Sequence, residues 1–575
     1  MKRYWKYIRP YIQYYILGPC FMMMEVVGDV LLPYMLAKII NQGIAERNVV
    51  YIIKIGVIMG FIAVIMAVGG ILGAWFASKA AMNFGADLRM DLFEKIQQFS
   101  FQNIDNFSTG SLITRLTNDI TQIQNMIMMT LRMCLRSPGI LIGAMVMAFV
   151  ISPKLAAIFI IVLPVLAVLI VVIMRRAFPQ FRTLQEKLDA LNSCIQEGLV
   201  GIRLIKSFVR GDYEEMRFEK RNQQLKEANL TAMKTMLLYT PLMTLALNIT
   251  TVVVVWSGGN MIVAGNMQVG DLTAFTNYIV QIMSSLTMLS IAFLNWARAI
   301  ASFRRVGEVL DEKIDLTDEN AKHKDRAVCE GSVEFQNVSF RYYKNSPEWV
   351  IENISFKLEA GKTLGIIGST GSGKSTLVSM IPRLYDTDEG TVLVDGINVR
   401  DYGLKPLRDG IGMVLQNNTL FSGSITENLK WGDEHADEKA VRKAAQNAQA
   451  AGFIDSFKDG YRTRLEQSGN NVSGGQKQRL CIARALLKCP KILILDDSTS
   501  AVDTATERAI REALHSEYKD MTKIIIAQRI RSVMDADEIL VLDNGKTAGF
   551  GTHEQLLADC PVYREIYDVQ NGREE

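Results

Sequence analysis

Apolar residues are unevenly spread along this chain. Up to about residue 305 they gather in long runs, near 12–40, 50–80, 126–151, 155–178, 236–264 and 270–296. Each run approaches or exceeds the ~20 residues that a helix needs to cross a bilayer. The pattern predicts six spanning helices. The two long polar intervals, near 85–125 and 180–233, read as helical continuations of the spans. Turn-like residues interrupt them at Asn106-Phe107-Ser108-Thr109-Gly110 and at Val209-Arg210-Gly211-Asp212. After Leu310 the pattern changes: a polar run through Asp311, Glu312, Lys313, Lys322, His323, Lys324 and Asp325 suits a linker over 311–330. Beyond Gly331 short β-branched segments alternate with helical ones, and no spanning run recurs. That alternation predicts an α/β domain over 331–575 with a largely parallel core sheet, placed after a helical transmembrane domain over 1–310.

Composition narrows the picture. The 575 residues are 49% hydrophobic and 21% charged, and mean hydropathy is +0.13, which excludes a disordered chain. A net charge of +3, from 63 basic and 60 acidic residues, argues against a bulk nucleic-acid binder. The cysteines (Cys20, Cys134, Cys194, Cys329, Cys481, Cys489 and Cys560) form no C-x-x-C pair, so neither a disulfide framework nor a zinc site follows. No secretory signal peptide is evident at the start, because the run after the basic, aromatic Met1–Pro10 is too long and lacks a cleavage site. Lys2, Arg3, Lys6 and Arg9 among Tyr4, Trp5 and Tyr7 fit either an interfacial amphipathic segment or an ordinary start of the first helix. Arg175, Arg176, Arg182, Arg203, Lys206 and Arg210 load one long interval with positive charge, whereas 41–49, 152–154 and 265–269 are nearly free of it. The positive-inside rule therefore puts both termini and both long intervals in the cytoplasm.

The α/β half carries the chemistry. Gly368-Ser369-Thr370-Gly371-Ser372-Gly373-Lys374-Ser375 fits G-x-x-x-x-G-K-[ST] and lies between an expected strand, Thr363–Ile367, and an expected helix beginning at Thr376. Backbone N–H groups of such a loop cradle phosphates, Lys374 meets the β and γ oxygens, and Ser375 reaches Mg²⁺. The helix N-terminus adds its partial positive charge. Lys491-Ile-Leu-Ile-Leu-Asp496-Asp497 is an apolar strand ending in two carboxylates, the first placed to hold Mg²⁺. Val472-Ser473-Gly474-Gly475-Gln476 opens another helix and forms a second anion cradle.

Together these segments resemble an ATP-binding cassette (ABC) half-transporter of the exporter type, over essentially the whole chain. The resemblance implies six spans fused to one P-loop cassette, with ATP and Mg²⁺ as cofactors. It makes Val472–Gln476 the signature motif, Gln416 the Q-loop residue and a further Mg²⁺ contact, Tyr342 the aromatic that stacks on adenine, and Ser500-Ala501-Val502-Asp503 the D-loop. It also implies that helical ends near Phe107–Arg115 and Ser207–Glu215 dock on the cassettes and transmit their closure.

Three positions depart from the family pattern. Asp497 stands where a Glu usually polarises the attacking water, Gln528 where a switch His is usual, and Gln467 where the pre-signature loop has Glu. Asp is shorter than Glu by roughly 1.4 Å, and misplacement of about 1 Å can cost on the order of 100-fold in rate. Gln donates a hydrogen bond but cannot become a cation. The expected result is a site that binds Mg-ATP well and hydrolyses it poorly. The chain then resembles the degenerate-site member of heterodimeric bacterial multidrug exporters. Its partner would be a second, non-identical half-transporter carrying the Glu and the His, in a bacterial inner membrane.

Inside the bundle, Glu25 and Asp29 share a helix face. At ~1.5 Å per residue they lie roughly 24 and 18 Å below the outer end, at a depth similar to Arg132 and Arg136. Intramembrane charges pair with one another or line a wet cavity, so these acids either attract cationic amphiphiles or hold helices together. Asn248, Asn277, Gln281, Asn295 and Trp296 are further cavity candidates. Lipid or peptide cargo, a homodimer, and a regulatory ATP-binding membrane subunit are the alternative readings.

Overall fold

The computed structural model describes residues 2–344 and 346–571; inside the last long helix, the side chains at 290, 291, 293–295, 297 and 298 lie outside the described residues, and with them the candidate Asn295. The chain divides into two units. One comprises Met1–Gln97 and Gly110–Asp311, the other Gln98–Thr109 and Glu312–Glu575.

The first unit is helical. Its long helices are Ile12–Lys38, Val49–Gln97, Ile120–Met133 with Arg136–Ile151, Pro153–Val200, Gly211–Leu237 with Tyr239–Val263, and Val269–Asp311. Among the described residues five helical stretches are long and apolar enough to span a bilayer: Trp5–Ile44, Val49–Gln97, Thr109–Ile151, Pro153–Val200 and Gly211–Val263. The expected sixth span falls on Val269–Asp311, where part of the helix lies outside the described side chains, so the count of six is not established. The long polar intervals do continue the spans as helices.

Small residues set the closest helix approach. Gly69, Gly73 and Ala77 repeat at four-residue spacing and face the first long helix. A Cβ at Gly69 would stand 3.0 Å from Phe21 O, and one at Gly73 would stand 2.6 Å from Met22 Cε. In a bilayer, where hydrophobicity drives no association, this close packing is what holds helices together. Ser152 starts the next span as an N-cap, its hydroxyl accepting from Leu155 N at 3.4 Å ahead of Pro153. The start of the chain is an interior contact as well as a polar one. Tyr7 is buried edge-on to Phe84, its hydroxyl donates to Asp91 at 2.9 Å, and Tyr4 donates to Phe303 O at 3.1 Å. Trp5 stays exposed.

The second unit is α/β. A six-stranded sheet runs in the order Lys546–Gly551, Glu538–Asp543, Thr363–Gly368, Thr522–Ile526, Ile492–Asp496, Ile411–Val414. All its pairings are parallel except the first, which is antiparallel. The central strands Thr363–Gly368, Ile492–Asp496 and Thr522–Ile526 are buried almost throughout, which is why they read as continuous apolar runs without alternation. A separate antiparallel sheet pairs Val333–Phe340 with Ile351–Leu358 and Glu389–Val394. The stretch 312–330 packs on this unit: His323 bridges to Tyr402, Asp318 accepts from Leu404 N at 2.9 Å, and Val328 is buried.

The first polar interval differs from expectation in one respect. Its helix in the second unit is Phe101–Asp105, capped by Ser100 and Asn103, and lies before the segment 107–115 expected to dock. The reason is local: Ser100 and Asn103 form a reciprocal capping box, a stronger helix start than the Asn-Phe-Ser-Thr-Gly turn. Gly110–Arg115 and Ser207–Glu215 belong to the first unit.

Candidate nucleotide site

Three parallel strands, Thr363–Gly368, Ile492–Asp496 and Thr522–Ile526, end side by side, and their carboxyl ends carry the expected residues. This is where open parallel sheets bind ligands. Thr363–Gly368 runs into the glycine loop, and helix Lys374–Ser379 follows. Gly373 holds φ +90, and a Cβ there would meet Ile351 Cγ2 at 2.6 Å and Val350 O at 2.9 Å, so the loop turns into the helix only through glycine. The loop otherwise consists of Ser369, Thr370, Gly371 and Ser372. Lys374 Nζ donates to the Gly368 carbonyl at 2.9 Å and the Ser369 carbonyl at 2.6 Å. Burial pulls its pKa below the ordinary lysine value, against the opposing charges of Asp496 and Asp497.

The Ser375 hydroxyl donates to Asp496 Oδ1 at 3.0 Å. Burial holds the Asp496 carboxyl above its usual range and the charge of Asp497 adds to this, while the Ser375 bond and Lys374 oppose it. A hydroxyl and a carboxylate are the hard oxygen donors that Mg²⁺ prefers. Mg²⁺ is bound through one or two protein oxygens together with substrate phosphates and water rather than by an all-protein cage. Ser375 and Asp496 would hold that Mg²⁺ and orient it on the phosphates.

Asp497 adopts φ +47 and its amide donates to Ile526 O at 3.1 Å. Gln528 Nε2 donates to Asp497 Oδ2 at 2.8 Å. Burial raises the Asp497 carboxyl above its ordinary value, opposed by hydrogen bonds from Gln528 and Gln416 and by Lys374 and Arg529. Lys374, Ser375, Asp496, Asp497, Gln416 and Gln528 thus form one cluster. Tyr342 joins it through Thr376, their hydroxyls 2.8 Å apart.

The signature residues stand elsewhere on the unit. Ser473 caps helix Gly474–Leu487, its hydroxyl accepting from Gln476 N at 3.3 Å while Gln476 Oε1 accepts from Ser473 N at 2.9 Å. Ser473 and Gly474 are exposed, free to meet a ligand from outside. Gln478 on the same helix donates to the Ser500 hydroxyl and accepts from Ala501 N, and that hydroxyl donates to Asp497 O at 3.0 Å. Nothing in the sequence marks this lone Gln on a helix as a tether.

In the helical unit Arg136 reaches both acids, with Nη2 2.7 Å from Glu25 Oε1 and 3.4 Å from Asp29 Oδ2. Gln281 donates to the Asp29 carbonyl at 2.7 Å. Trp296 Nε1 donates to Thr130 Oγ1 at 2.9 Å, and Asn277 turns back onto Thr273 O of its own helix. Asn248 and Arg132 are exposed. Of the cavity candidates, then, Glu25, Asp29 and Gln281 come together with Arg136, and Asn277 and Trp296 bond outside that group.

Residues 15–286 match the family described as the ABC transporter transmembrane region, and residues 351–500 match the family described as ABC transporter. The ABC transporter ATP-binding protein YfiB of Bacillus subtilis is 39% identical over 574 residues, covering 100% of this chain and 99% of that protein. The putative multidrug export ATP-binding/permease protein YgaD of the same organism is 33% identical, covering 99% of each. A bacterial Atm1-family ABC exporter with ATP bound shares the fold, at TM-score 0.80, 24% identity and 98% coverage of each chain.

Proposed function

The chain belongs to the ABC transporter family, and from that premise we propose that it is one half of a heterodimeric multidrug-type exporter whose own nucleotide site is the slow one. Membership itself gives a multi-pass membrane protein that uses ATP with Mg²⁺ and couples ATP hydrolysis to transport. The finer reading rests on one observation: the residue at the water-polarising position is an Asp whose carboxylate accepts from a Gln amide. The other parts of the site are those a tight Mg-ATP site needs: a glycine-closed loop, Lys374, Ser375 bonded to Asp496, and Tyr342.

Hydrolysis needs a base within reach of an attacking water and a donor for the developing charge on the γ-phosphate. Asp497 is a methylene short for the first task. Gln528, whose amide is engaged with Asp497, brings no positive charge to the second. The signature residues Ser473, Gly474 and Gly475 keep the pattern of an anion cradle, and they complete the ATP held by the partner's phosphate loop. The partner supplies Glu and His at the positions of Asp497 and Gln528. The exporter sits in the bacterial cytoplasmic membrane with both termini and the cassettes inside. Hydrophobic or amphiphilic compounds are its cargo, by analogy with the name of YgaD. Within the bundle, the two bonds from Arg136 favour structural pairing of Glu25 and Asp29 over direct substrate contact.

Two experiments test this. Purification of tagged chain from its own membrane should bring down an equal amount of a second half-transporter with Glu and His at the corresponding positions; a stable dimer of this chain alone would sink the heterodimer. In that complex, Asp497→Glu combined with Gln528→His should raise ATPase turnover, because two competent sites then replace one. No rise would remove these positions as the limit.

A further inference from the structure

Tyr385 touches two things at once in the ATP-binding unit. Its ring meets Tyr342 edge to face, with centroids 5.3 Å apart and planes at 84°, and it leans on Phe340 at 5.5 Å. On the other side its hydroxyl donates to Asp105 Oδ2 at 2.8 Å, and its ring packs against Phe101 at 5.9 Å. Asp105 and Phe101 are the two ends of the short helix Phe101–Asp105, which lies in the loop joining the long helix Val49–Gln97 to the helical stretch beginning at Thr109. The same helix is anchored a second time: Asn103 Nδ2 donates to Lys313 O at 2.9 Å and to Glu312 Oε1 at 3.2 Å, where the chain enters the ATP-binding unit.

The mount under Tyr385 is stiff. Arg383 is buried with φ +52, and its Nε bonds Asp386 at 2.9 Å. Arg408 donates to the Pro382 and Arg383 carbonyls at 3.1 and 2.8 Å. Tyr342 is likewise held, by the Thr376 hydroxyl at one end and Phe340 edge-on at 5.1 Å. A side chain such as Tyr385, fixed by three aromatic contacts and one hydrogen bond, cannot absorb a shift of Tyr342 by rotating freely.

We propose that Tyr385 is the positioning residue through which adenine, on reaching Tyr342, orders the helix Phe101–Asp105. A base stacking on Tyr342 fixes that ring. Tyr385 is packed against its edge and is fixed with it, and the Asp105 bond carries the order to the loop helix. The base bears on Tyr342 directly, whereas phosphates bind at the glycine loop and touch this route only through the Thr376 hydroxyl on Tyr342, so the order should follow the base. Coupling of this kind requires only that the bound ligand favour one arrangement of the intermediate element. It uses ATP binding, which the family supplies, and stands whether or not the Asp497 site is slow.

Hydrogen–deuterium exchange of the full chain, purified in its native complex, reads the effect directly. The probes are Mg-AMP-PNP and Mg-tripolyphosphate, which share the phosphate chain and differ in the base. Both should protect residues 368–376, the internal control for binding. Only Mg-AMP-PNP should protect 98–109, and that protection should be lost in Tyr385→Phe and in Asp105→Asn while protection of 368–376 is kept. Tyr385→Phe keeps the ring and its packing, and Asp105 is exposed, so both variants fold. The proposal is overturned if tripolyphosphate protects 98–109 as well as AMP-PNP does, or if both variants retain full protection there.

Discussion

Arg136 donates to Glu25 and to Asp29, which lie one turn apart on the first long helix, so one guanidinium serves two carboxylates within the helical unit. Among the described residues Arg136 is the one ion-pair partner of these two acids, whose side chains are only partly exposed, at 21% and 27%. Arg136→Ala should therefore lower the stability of the purified complex by about 2–4 kcal/mol, measured by thermal denaturation in detergent. Adding Glu25→Gln and Asp29→Asn should restore most of the loss, because the penalty comes from unpaired charge. If the triple variant stays as unstable as the single one, packing of the arginine stem is the cause instead. Residue types and spacing placed both acids and the arginine at one depth, but whether they paired was decided only by the rotation of the two helices.

At the scale of single elements, the strand that feeds the phosphate loop is tied at its start to its neighbour. Asp537, just before strand Glu538–Asp543, accepts from Thr363 N at 2.8 Å and from Lys362 Nζ at 3.0 Å. Burial works to raise the Asp537 carboxyl, and the bonds from Thr363 and Lys362 overcome it, so its pKa lies below the ordinary value. The folded state therefore binds this proton less tightly than the unfolded chain does. The stabilisation is present above the unfolded carboxylate value and is lost as pH falls through the lower folded one. Asp537→Asn should lower the melting temperature at neutral pH, and the difference from wild type should close as the pH is brought down into the acid range. A difference that holds constant with pH would mean the ion pair contributes nothing beyond shape. None of this was legible in the sequence, since Lys362 and Asp537 are joined by a parallel strand pairing across nearly the length of the domain.

At the scale of the whole molecule, the proposed asymmetry of the two nucleotide sites sets which residues limit turnover. If the partner's site does most of the turnover, then this chain's signature matters more than its own phosphate loop. Gly474 is suited to the test, since it is exposed and a Cβ there would stand in ordinary contact with Ala501 Cβ, at 3.7 Å. Gly474→Asp should cut the ATPase of the complex on the order of 100-fold by spoiling the anion cradle of the competent site. Lys374→Ala, which removes the phosphate-binding amine of the slow site, should cost far less. Equal losses from the two would show the sites to be equivalent.

What the sequence determined by itself is whatever depends on short range. Five of the six expected spans, the helical continuations, the strand–loop–helix around Gly368–Ser375 and the apolar strand ending in Asp496-Asp497 all follow from runs and spacings of neighbouring residues, which fix local backbone geometry and burial. The departures at Asp497 and Gln528 were equally legible, because the chemistry of a carboxylate or an amide belongs to the side chain. The tertiary structure decided what depends on closure over long separations. It brought Gln528 onto Asp497, turned Arg136 between two acids, and set Phe101–Asp105 against Tyr385. Those contacts join residues 31, 111 and 280 positions apart. No local pattern encodes them, because they exist only once sheet register and helix packing have fixed which faces meet.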